Sequence, residues 1–436
     1  MILQSRPKRS QNGLESRTIP EEETRQKYLR FVDAEHSVVS NLRTYDLPWD
    51  GAIHVARATL TPESCASRSS PRPAIGRSVL GKGLNRAASE VSAICEALER
   101  YSGIYRGDEE RCVASYAELS NDAVHTSSCT LFSKQQYRNR TDWNRLEGAF
   151  NWVPERFDER RPIDWTPVWS LTHDRQKYVP AAYCYFGYPF DSSHDFCRPD
   201  SNGNSAGNNL EEAILHAFLE LVERECVALW WYNRILRPSV DLESFDLEYV
   251  NKLQGTYRSL GRSIHVLDIS ANPAIAAFAA VSRSEDSTQP KYILGFGAHL
   301  DPRLALLKAL TEMSQFLPEV LACEPGSFLL TSTDDSFLHP DRRVTRLDDF
   351  AYRPTKDLRD DVMACIDLVR RWNLEMLVLD QTRSDIDLPV VKVIVPGMRP
   401  WWARFAPGRL YWLPVQLKWL ESPLQESQLN PDHIRL

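Results

Sequence analysis

A short acidic motif occurs twice in this 436-residue chain, more than a hundred residues apart. It reads E-A-L-E-R at 96–100 and E-L-V-E-R at 220–224. Each copy lies in an apolar stretch with helical periodicity, and each follows a loop rich in glycine and asparagine, at 81–85 and 201–209. Carboxylates on apolar helices are costly to bury unless they meet a cation. The two helices therefore predict a shared site for metal ions and phosphate.

Helical spacing places the acidic side chains of each helix on one face. Ser92, Glu96 and Glu99 are four and three residues apart. Glu212 precedes Glu223 by eleven residues, which is close to three turns. Several carboxylates in one cleft repel each other, and Mg²⁺ relieves this repulsion with one or two carboxylates per ion and the phosphate oxygens of a nucleotide. The arginine that ends each motif copy can contact those phosphate oxygens.

The alternative is that these Glu–Arg pairs are salt bridges on ordinary solvated helices. One helix alone favours that alternative, whereas two helices with matching ends and matching loops favour the site. Neither loop has the G-x-x-x-x-G-K-[ST] pattern of a P-loop or the G-x-G-x-x-G pattern of a dinucleotide-binding turn. A nucleotide site in this chain would therefore depend on carboxylates and metal.

Composition excludes several classes of protein. The net charge of −7 and the pI near 5.9 argue against a nucleic-acid-binding protein. No apolar run is long enough to span a membrane, and the N-terminus lacks the apolar region of a secretory signal. The nine cysteines form no C-x-x-C pair, which disfavours a zinc ribbon or a disulfide scaffold. These features predict a cytoplasmic protein with free thiols.

Helical and extended segments alternate along the chain without a strict β-α-β rhythm. This pattern predicts an α+β fold in which helices pack on mixed sheets. The sequence predicts a disordered arm at residues 1–28, one domain at residues 29–420, and a C-terminal tail at residues 421–436. The strong helices are expected at about 85–105, 210–232, 302–321 and 358–372.

Other side chains are weaker candidates for a site. His216 lies within the second acidic helix, where a packed histidine is more common than a ligand. Gln315 follows Glu312 by three residues and can reach a ligand from the third helix. The aromatic and basic segment 401–409 fits either a peptide-binding rim or part of the core.

The segments that surround both motif copies follow the sequence blocks of a known family. Segment 81–103 resembles the first ATP-binding block of the YcaO family, and segments 201–224 and 297–315 look like its later blocks. The run R-F-A-P-G-R-L-Y at 404–411 is similar to the branch that makes thiazole- and oxazole-modified peptides, the cyclodehydratase D component. The resemblance spans about residues 30–420.

This resemblance implies a fold and an activity. The fold is the YcaO type, with an ATP site between two pseudo-repeated loop–helix units. The activity is an ATP- and Mg²⁺-dependent cyclodehydration of Cys, Ser or Thr in a ribosomally synthesised precursor peptide. The backbone amide oxygen is phosphorylated, and loss of phosphate leaves a thiazoline or oxazoline ring.

The resemblance also assigns roles to residues of this chain. Five glutamates would hold Mg²⁺ and the triphosphate, and five other side chains would complete the nucleotide pocket. The metal-binding set is Glu96, Glu99, Glu212, Glu220 and Glu223, and the nucleotide-binding set is Ser92, Arg100, Asn208, Arg224 and Gln315. In the family a glutamine like Gln315 belongs to a Q-x-x-x-R element, but Glu319 stands here in place of the arginine. No general base is implied, so the catalytic residues stay unassigned.

The implied partners follow from the same resemblance. They are the precursor peptide and a separate leader-binding protein, the cyclodehydratase C component, because the chain before residue 30 is too short for a fused leader-binding domain. A flavin dehydrogenase would join them where the rings are oxidised. A homodimer or hetero-oligomer is expected. The chain ends without the P-x-P-x-P tail of many azoline-forming members, so the placement of its terminus is open.

Two other functions are open at this point. One is a YcaO enzyme that makes a thioamide or an amidine, against which the 404–411 run argues. The other is a non-catalytic scaffold that binds the precursor peptide, against which the five retained glutamates argue.

Overall fold

The structure is a computed structural model that describes residues 1–11, 14–33, 37–45, 51–67, 70–147, 151–189, 195–284, 286, 292–322, 334–351 and 355–434. Its strands are β1 (Arg9–Gln11), β2 (Leu14–Arg17), β3 (Val39–Thr44), β4 (His54–Leu60), β5 (Ala66–Ser67), β6 (Ser70–Pro73), β7 (Ser78–Gly83), β8 (Cys112–Ala114), β9 (Ile163–Ser170), β10 (Arg175–Pro180), β11 (Asn204–Ala206), β12 (Ser239–Val240), β13 (Arg262–Asp268), β14 (Ala276–Ser284), β15 (Tyr292–His299), β16 (Val344–Thr345), β17 (Leu377–Asp380) and β18 (Val390–Ile394). Its helices are α1 (Glu21–Tyr28), α2 (Arg86–Ser102), α3 (Tyr116–Leu119), α4 (Ser127–Thr130), α5 (Lys134–Arg138), α6 (Arg140–Leu146), α7 (Ala181–Cys184), α8 (Leu210–Asn233), α9 (Glu248–Ser259), α10 (Pro302–Gln315), α11 (Leu317–Ala322), α12 (Leu358–Arg371) and α13 (Arg409–Gln416).

Three sheets form the framework. The first has the strand order β10-β9-β17-β18-β11, with β8 added beside β9, and the second has the order β15-β14-β13-β12-β16. The third is the smaller sheet β3-β4-β7. Neighbouring strands are antiparallel except for the parallel pair of β12 and β16. Helices pack on these sheets, which confirms the α+β prediction.

Helix α8 is the centre of the core. It contacts β11 and β18 of the first sheet and β14 and β15 of the second, so it lies between the two. Most residues of α8 are buried, among them Trp230 and Trp231. A helix that is apolar on every side is typically buried all round. The carboxylates of Glu212 and Glu223 are therefore held in a largely water-free environment.

Two Gly-x-Gly pairs bring helices directly onto strands. A methyl group on Gly81 of β7 would lie 2.2 Å from the backbone nitrogen of Ala93 in α2. A methyl group on Gly295 of β15 would lie 2.0 Å from the backbone nitrogen of Met313 in α10. Only glycine permits such close contact between a strand and a helix backbone. Both helices are thereby fixed against the strands that face the acidic centre.

Residues 1–28, predicted from the sequence as a disordered arm, include β1, β2 and α1 in the structure. The backbone N–H of Gln4 donates to Glu211 at 2.6 Å, and Arg25 forms an ion pair with Glu90 of α2. Tyr28 is buried at the end of α1. Polar composition favours disorder in a free segment, but here the cations and amides of the segment meet buried acids on α2 and α8.

The third predicted helix, at 302–321, is divided. Helix α10 ends at Gln315 and α11 begins at Leu317. Pro318 has no N–H to donate to a carbonyl one turn earlier, and proline is accepted in the first turn of a new helix. The other three strong helices lie where the sequence predicts them.

Two chemical expectations can be compared with the structure. The eight cysteines in the described ranges are free thiols, as predicted, and Cys323 lies outside those ranges. No helix in the described part of the chain is long and apolar enough to cross a bilayer.

Candidate active site

The two acidic helices begin in the same way. Asn85 and Asn209 are their N-cap residues, with φ/ψ of −150°/173° and −152°/170°. Each asparagine side chain accepts a hydrogen bond from the backbone N–H three residues later, at 2.8 Å from Ala88 and 3.0 Å from Glu212. This is the standard N-cap interaction. The glycine- and asparagine-rich loops thus start both helices with matched geometry.

The end of α2 presents two carboxylates and an arginine. Arg100 donates through Nη2 to Glu96 at 3.1 Å. Burial raises the pKa of Glu99 well above its ordinary value, and the neighbouring Glu96 and Glu220 raise it further. Because Glu220 belongs to α8, this effect shows that the two motif copies face each other.

The second motif copy forms the centre of the site. Arg224 donates to Glu220 and to Glu223, each at 2.9 Å. The other oxygen of Glu223 accepts the backbone N–H of Ala298 in β15 at 3.1 Å. Burial raises the pKa of Glu223, and nearby Glu312 adds to this effect while Arg224 opposes it. The carboxylates of the site are thus held close together at an electrostatic cost.

Three charged residues of the centre were not predicted. Lys82 of β7 forms an ion pair with Glu312 of α10, whose other oxygen accepts the backbone N–H of Phe296 at 3.2 Å. Lys308 of α10 is half-buried near Glu223, and desolvation together with Lys82 lowers its pKa. The sequence signals were the lysine between two glycines at 81–83 and the i,i+4 spacing of Lys308 and Glu312.

Glu212 and Asn208 lie at the other end of α8. Asn208 donates to Glu212 at 3.1 Å and accepts from Thr24 at 2.9 Å. Burial raises the pKa of Glu212, and Arg17 of the N-terminal segment opposes the rise. At about 1.5 Å per helical residue, Glu212 is roughly 16 Å along the axis from Glu223. The five predicted metal ligands therefore extend along a cleft and do not surround one point.

The remaining predicted residues border this cleft. Ser92 lies one turn before Glu96 and is half-buried. Gln315, at the end of α10, donates to the carbonyl of Leu80 in β7 at 3.5 Å. His216 is half-buried, and desolvation lowers its pKa to about 3, with contributions from Arg17 and Lys308.

The residues present fit Mg²⁺ and a nucleotide phosphate chain. The Nε–H groups of Arg100 and Arg224 are buried and have no hydrogen-bond partner among the described residues. Such donors are suited to phosphate oxygens. In the same ranges no three His, Cys, Asp or Glu side chains converge as a ready-made metal site. Mg²⁺ uses few carboxylates and takes its other ligands from phosphate and water.

A cavity of about 810 Å³ opens from the Arg100 side of the centre. Its wall combines aromatic and apolar groups with a few polar ones, and Leu221, next to Glu220, belongs to it. Its aromatic lining residues are Phe132, Trp152, Tyr183, Phe186, Tyr188 and Trp402. A mixed wall of this kind is typical of a binding site for an organic ligand.

The 397–409 segment connects the acidic centre with this cavity. Trp401 stacks on the guanidinium group of Arg224, 3.5 Å from the ring centroid. Arg404 lines the cavity. Glu225 anchors the segment, because it accepts from Arg409 at 2.7 Å and 2.5 Å and from the backbone N–H of Arg399 at 3.2 Å. The segment is thus part rim and part core.

Replacement of Glu99 by glutamine is expected to stabilise the ligand-free protein, by roughly 1–3 °C in thermal midpoint. The folded pKa of Glu99 is raised, so its contribution to stability is present below the ordinary value of 4.5 and is lost as pH rises through the folded pKa. The wild-type midpoint should therefore fall more steeply than that of Glu99→Gln as the pH rises above 4.5. Thermal unfolding without Mg²⁺, followed over a range of pH, measures the midpoint and its pH dependence. Glu248→Gln, at an exposed position, is the control. If the midpoints of the wild type and of Glu99→Gln changed with pH to the same extent, this electrostatic account would be contradicted.

The chain resembles known proteins along its whole length. A heterocyclase solved in complex with substrate and cofactor superposes with a TM-score of 0.93 at 44% identity, covering 100% of this chain and 59% of that one. The heterocyclase TruD gives a TM-score of 0.80 at 43% identity, covering 100% and 55%. An uncharacterised protein of Methanothermobacter thermautotrophicus is 27% identical over 334 residues, which are 73% of this chain and 80% of that protein. The chain thus spans little more than half the length of the two heterocyclases.

The family model described as "YcaO cyclodehydratase", binding ATP and Mg²⁺, matches residues 80–399. This range contains both acidic helices, α10 and the Arg399 end of the anchored segment. The chain therefore belongs to the YcaO family.

Proposed function

We propose that this chain is an ATP- and Mg²⁺-dependent peptide cyclodehydratase that converts Cys, Ser or Thr residues of a ribosomally synthesised precursor peptide into azoline rings. One observation carries the proposal: the acidic centre between α2, α8 and α10 opens directly, at Arg100, onto a cavity with an aromatic wall. A site for ATP and a site for a peptide thus share a border. The likeness to two heterocyclases at 44% and 43% identity supports this choice within the family.

The nucleotide would occupy the cleft between the acidic helices. Glu99, Glu220 and Glu223 would hold Mg²⁺, which neutralises the phosphate charges during transfer. The unpaired Nε–H groups of Arg100 and Arg224 would donate to phosphate oxygens. Both arginines stay charged, because adjacent glutamates outweigh the effect of burial and raise the pKa of each. Glu96, Glu212, Ser92, Asn208 and Gln315 are proposed to complete the pocket along the cleft.

The peptide would lie in the cavity with its reacting amide beside Arg100. The side-chain sulfur or oxygen gives up its proton to a base and bonds to the preceding carbonyl carbon, and the electrons of the C=O double bond move to the oxygen. That oxygen bonds to the γ-phosphorus while the bond from this phosphorus to ADP breaks. Loss of the amide proton and cleavage of the carbon–oxygen bond then give C=N and inorganic phosphate. The protein contributes mainly position and charge, as in other phosphoryl transfers.

We further propose that leader recognition comes from polypeptide outside these 436 residues, either a further part of the same protein or a leader-binding partner. The support is that both heterocyclases are much longer than the region they share with this chain. The free thiols are typical of a reducing compartment and support a cytoplasmic location.

Mass spectrometry of a synthetic Cys-containing peptide, incubated at high concentration with the purified chain, tests the proposal. With ATP and Mg²⁺ the peptide should lose one water mass for each ring, and excess chelator should remove both this change and ATP binding, because the acidic cleft has no Walker lysine. Exchange of oxygen for sulfur or nitrogen would instead identify thioamide or amidine chemistry. ATP binding with an unchanged peptide would identify a scaffold.

A further inference from the structure

One carboxylate lines the peptide cavity outside the acidic centre. Asp200 lies in the loop before β11, and its side chain is 15% exposed. Its Oδ1 accepts the backbone N–H of Asn202 at 3.0 Å. Its Oδ2 has no hydrogen bond to any residue in the described ranges. One oxygen is therefore fixed by the loop, and the other is available to a bound molecule.

The loop of Asp200 also contacts the nucleotide cleft. Gly203, three residues later, donates its backbone N–H to Glu220 at 3.1 Å. Asp200, Arg100 and Arg404 all line the cavity. Asp200 is therefore placed where the reacting amide of a peptide would meet the phosphate end of the nucleotide.

Other groups of the wall are poor proton acceptors. Burial raises the pKa of the Cys129 thiol to about 12 and the pKa of the Tyr183 hydroxyl well above its ordinary value, so both keep their protons. Lys392, behind the wall, already donates to three oxygens: the carbonyls of Asp200 and Asn202 and the side chain of Asn204. Among the residues that line the cavity in the described ranges, Asp200 is the one carboxylate.

We propose that Asp200 is the general base that takes the proton from the attacking Cys, Ser or Thr side chain of the peptide. This inference rests on the proposed function and names a residue that it leaves unassigned. As the sulfur or oxygen forms its bond to the carbonyl carbon, its proton moves to Oδ2 of Asp200, and the carbonyl electron pair moves to the oxygen that will be phosphorylated. The proton then leaves Asp200 for the released phosphate or for water.

The charges around Asp200 suit this role. Burial raises the pKa of Asp200, which makes it a stronger base than an exposed aspartate, and Glu220 of α8 adds to the rise. Lys392 of β18 and Arg404 of the 397–409 segment oppose it and favour the ionised form. The Nζ of Lys392 lies 3.8 Å from Oδ1.

Asp200→Asn separates the chemical role from a structural one. An asparagine keeps the Oδ1 acceptor for Asn202, so the loop is retained, but it cannot take a proton. Asp380→Asn is the matched control, because Oδ1 of Asp380 accepts the N–H of Thr382 at 2.9 Å in the same kind of turn, and Asp380 does not line the cavity. Asp200→Glu tests whether a carboxylate alone restores activity.

The readouts are Mg²⁺–ATP binding and ring formation on Cys and Ser peptides. We expect Asp200→Asn to bind ATP as the wild type does and to form rings at least about 100-fold more slowly. Raising the pH from 7 to 9 should restore its Cys reaction roughly 20-fold, since the peptide thiol, with a pKa near 8.5, then ionises without help. The Ser reaction should not recover, and Asp200→Glu should retain part of the activity.

Three results would overturn the inference. Wild-type ring formation by Asp200→Asn would show that no base acts there. Loss of ATP binding in that variant, with Asp380→Asn unaffected, would assign Asp200 to the nucleotide site. Absence of rings from the wild type itself, on every peptide tested, would reject the proposed function together with this inference.

Discussion

Glu223→Gln is expected to reduce ring formation by at least 10²–10³-fold, the scale for loss of one charge-stabilising group in an active site, while the protein stays folded. Glutamine keeps the volume of the side chain and an oxygen for the N–H of Ala298, but it lacks the charge that would hold Mg²⁺. Glu99→Gln should have the same effect on turnover. Glu223 is buried and Glu99 is half-buried, and neighbouring carboxylates raise the pKa of each. Nearby cations oppose this effect, Arg100 for Glu99 and chiefly Arg224 for Glu223.

Rates of ring formation and of ATP consumption, together with thermal midpoints, measure these effects. Glu248→Gln on the exposed face of α9 is the control for the same chemical change away from the cleft. Wild-type turnover by Glu99→Gln or Glu223→Gln would show that the glutamate concerned does not bind the metal.

Ring formation by the 436-residue chain alone should be slow and should not depend on a leader sequence. Supplying a leader-binding protein in the same mixture should raise the rate on a leader-bearing precursor by roughly 10²–10⁴-fold, because a tethered peptide has a high effective concentration at the cavity. The rate on a leaderless peptide should not change, which provides the control. Full leader-dependent processing by the chain alone would contradict this proposal, because it would require a leader site within these residues.

The sequence predicted the two acidic helices closely because their signals are local. The apolar periodicity and the N-cap asparagines fix α2 and α8 to within a few residues of the structure. The motif spacing also predicted that carboxylates and arginines would share a face. Helix propensity, capping and side-chain period all act within one segment, and a sequence shows them directly.

The missed residues depend on contacts between distant segments. Lys82 and Glu312 are 230 residues apart and meet only because α10 lies against β7. The polar composition of the N-terminal segment does not indicate that Arg25 pairs with Glu90, a buried acid more than sixty residues away. Asp200 has no sequence signal of its own, since an aspartate before a glycine-rich loop is common. That it lines the same cavity as Arg100 is visible only in the folded structure.

The stacking of Trp401 on Arg224 has a consequence for attempts to change which peptides this protein accepts. Pro400 and Trp402, the neighbours of Trp401 in the chain, line the cavity. Glu225 anchors this turn to α8, the helix that also carries Arg224. A substitution that reshapes the cavity through this turn would also displace the aromatic ring that covers the arginine. Substrate range and nucleotide use are therefore not independent targets for directed evolution. Libraries built at lining residues of other segments, such as Ile75 and Tyr188, are expected to alter peptide selectivity without displacing this turn.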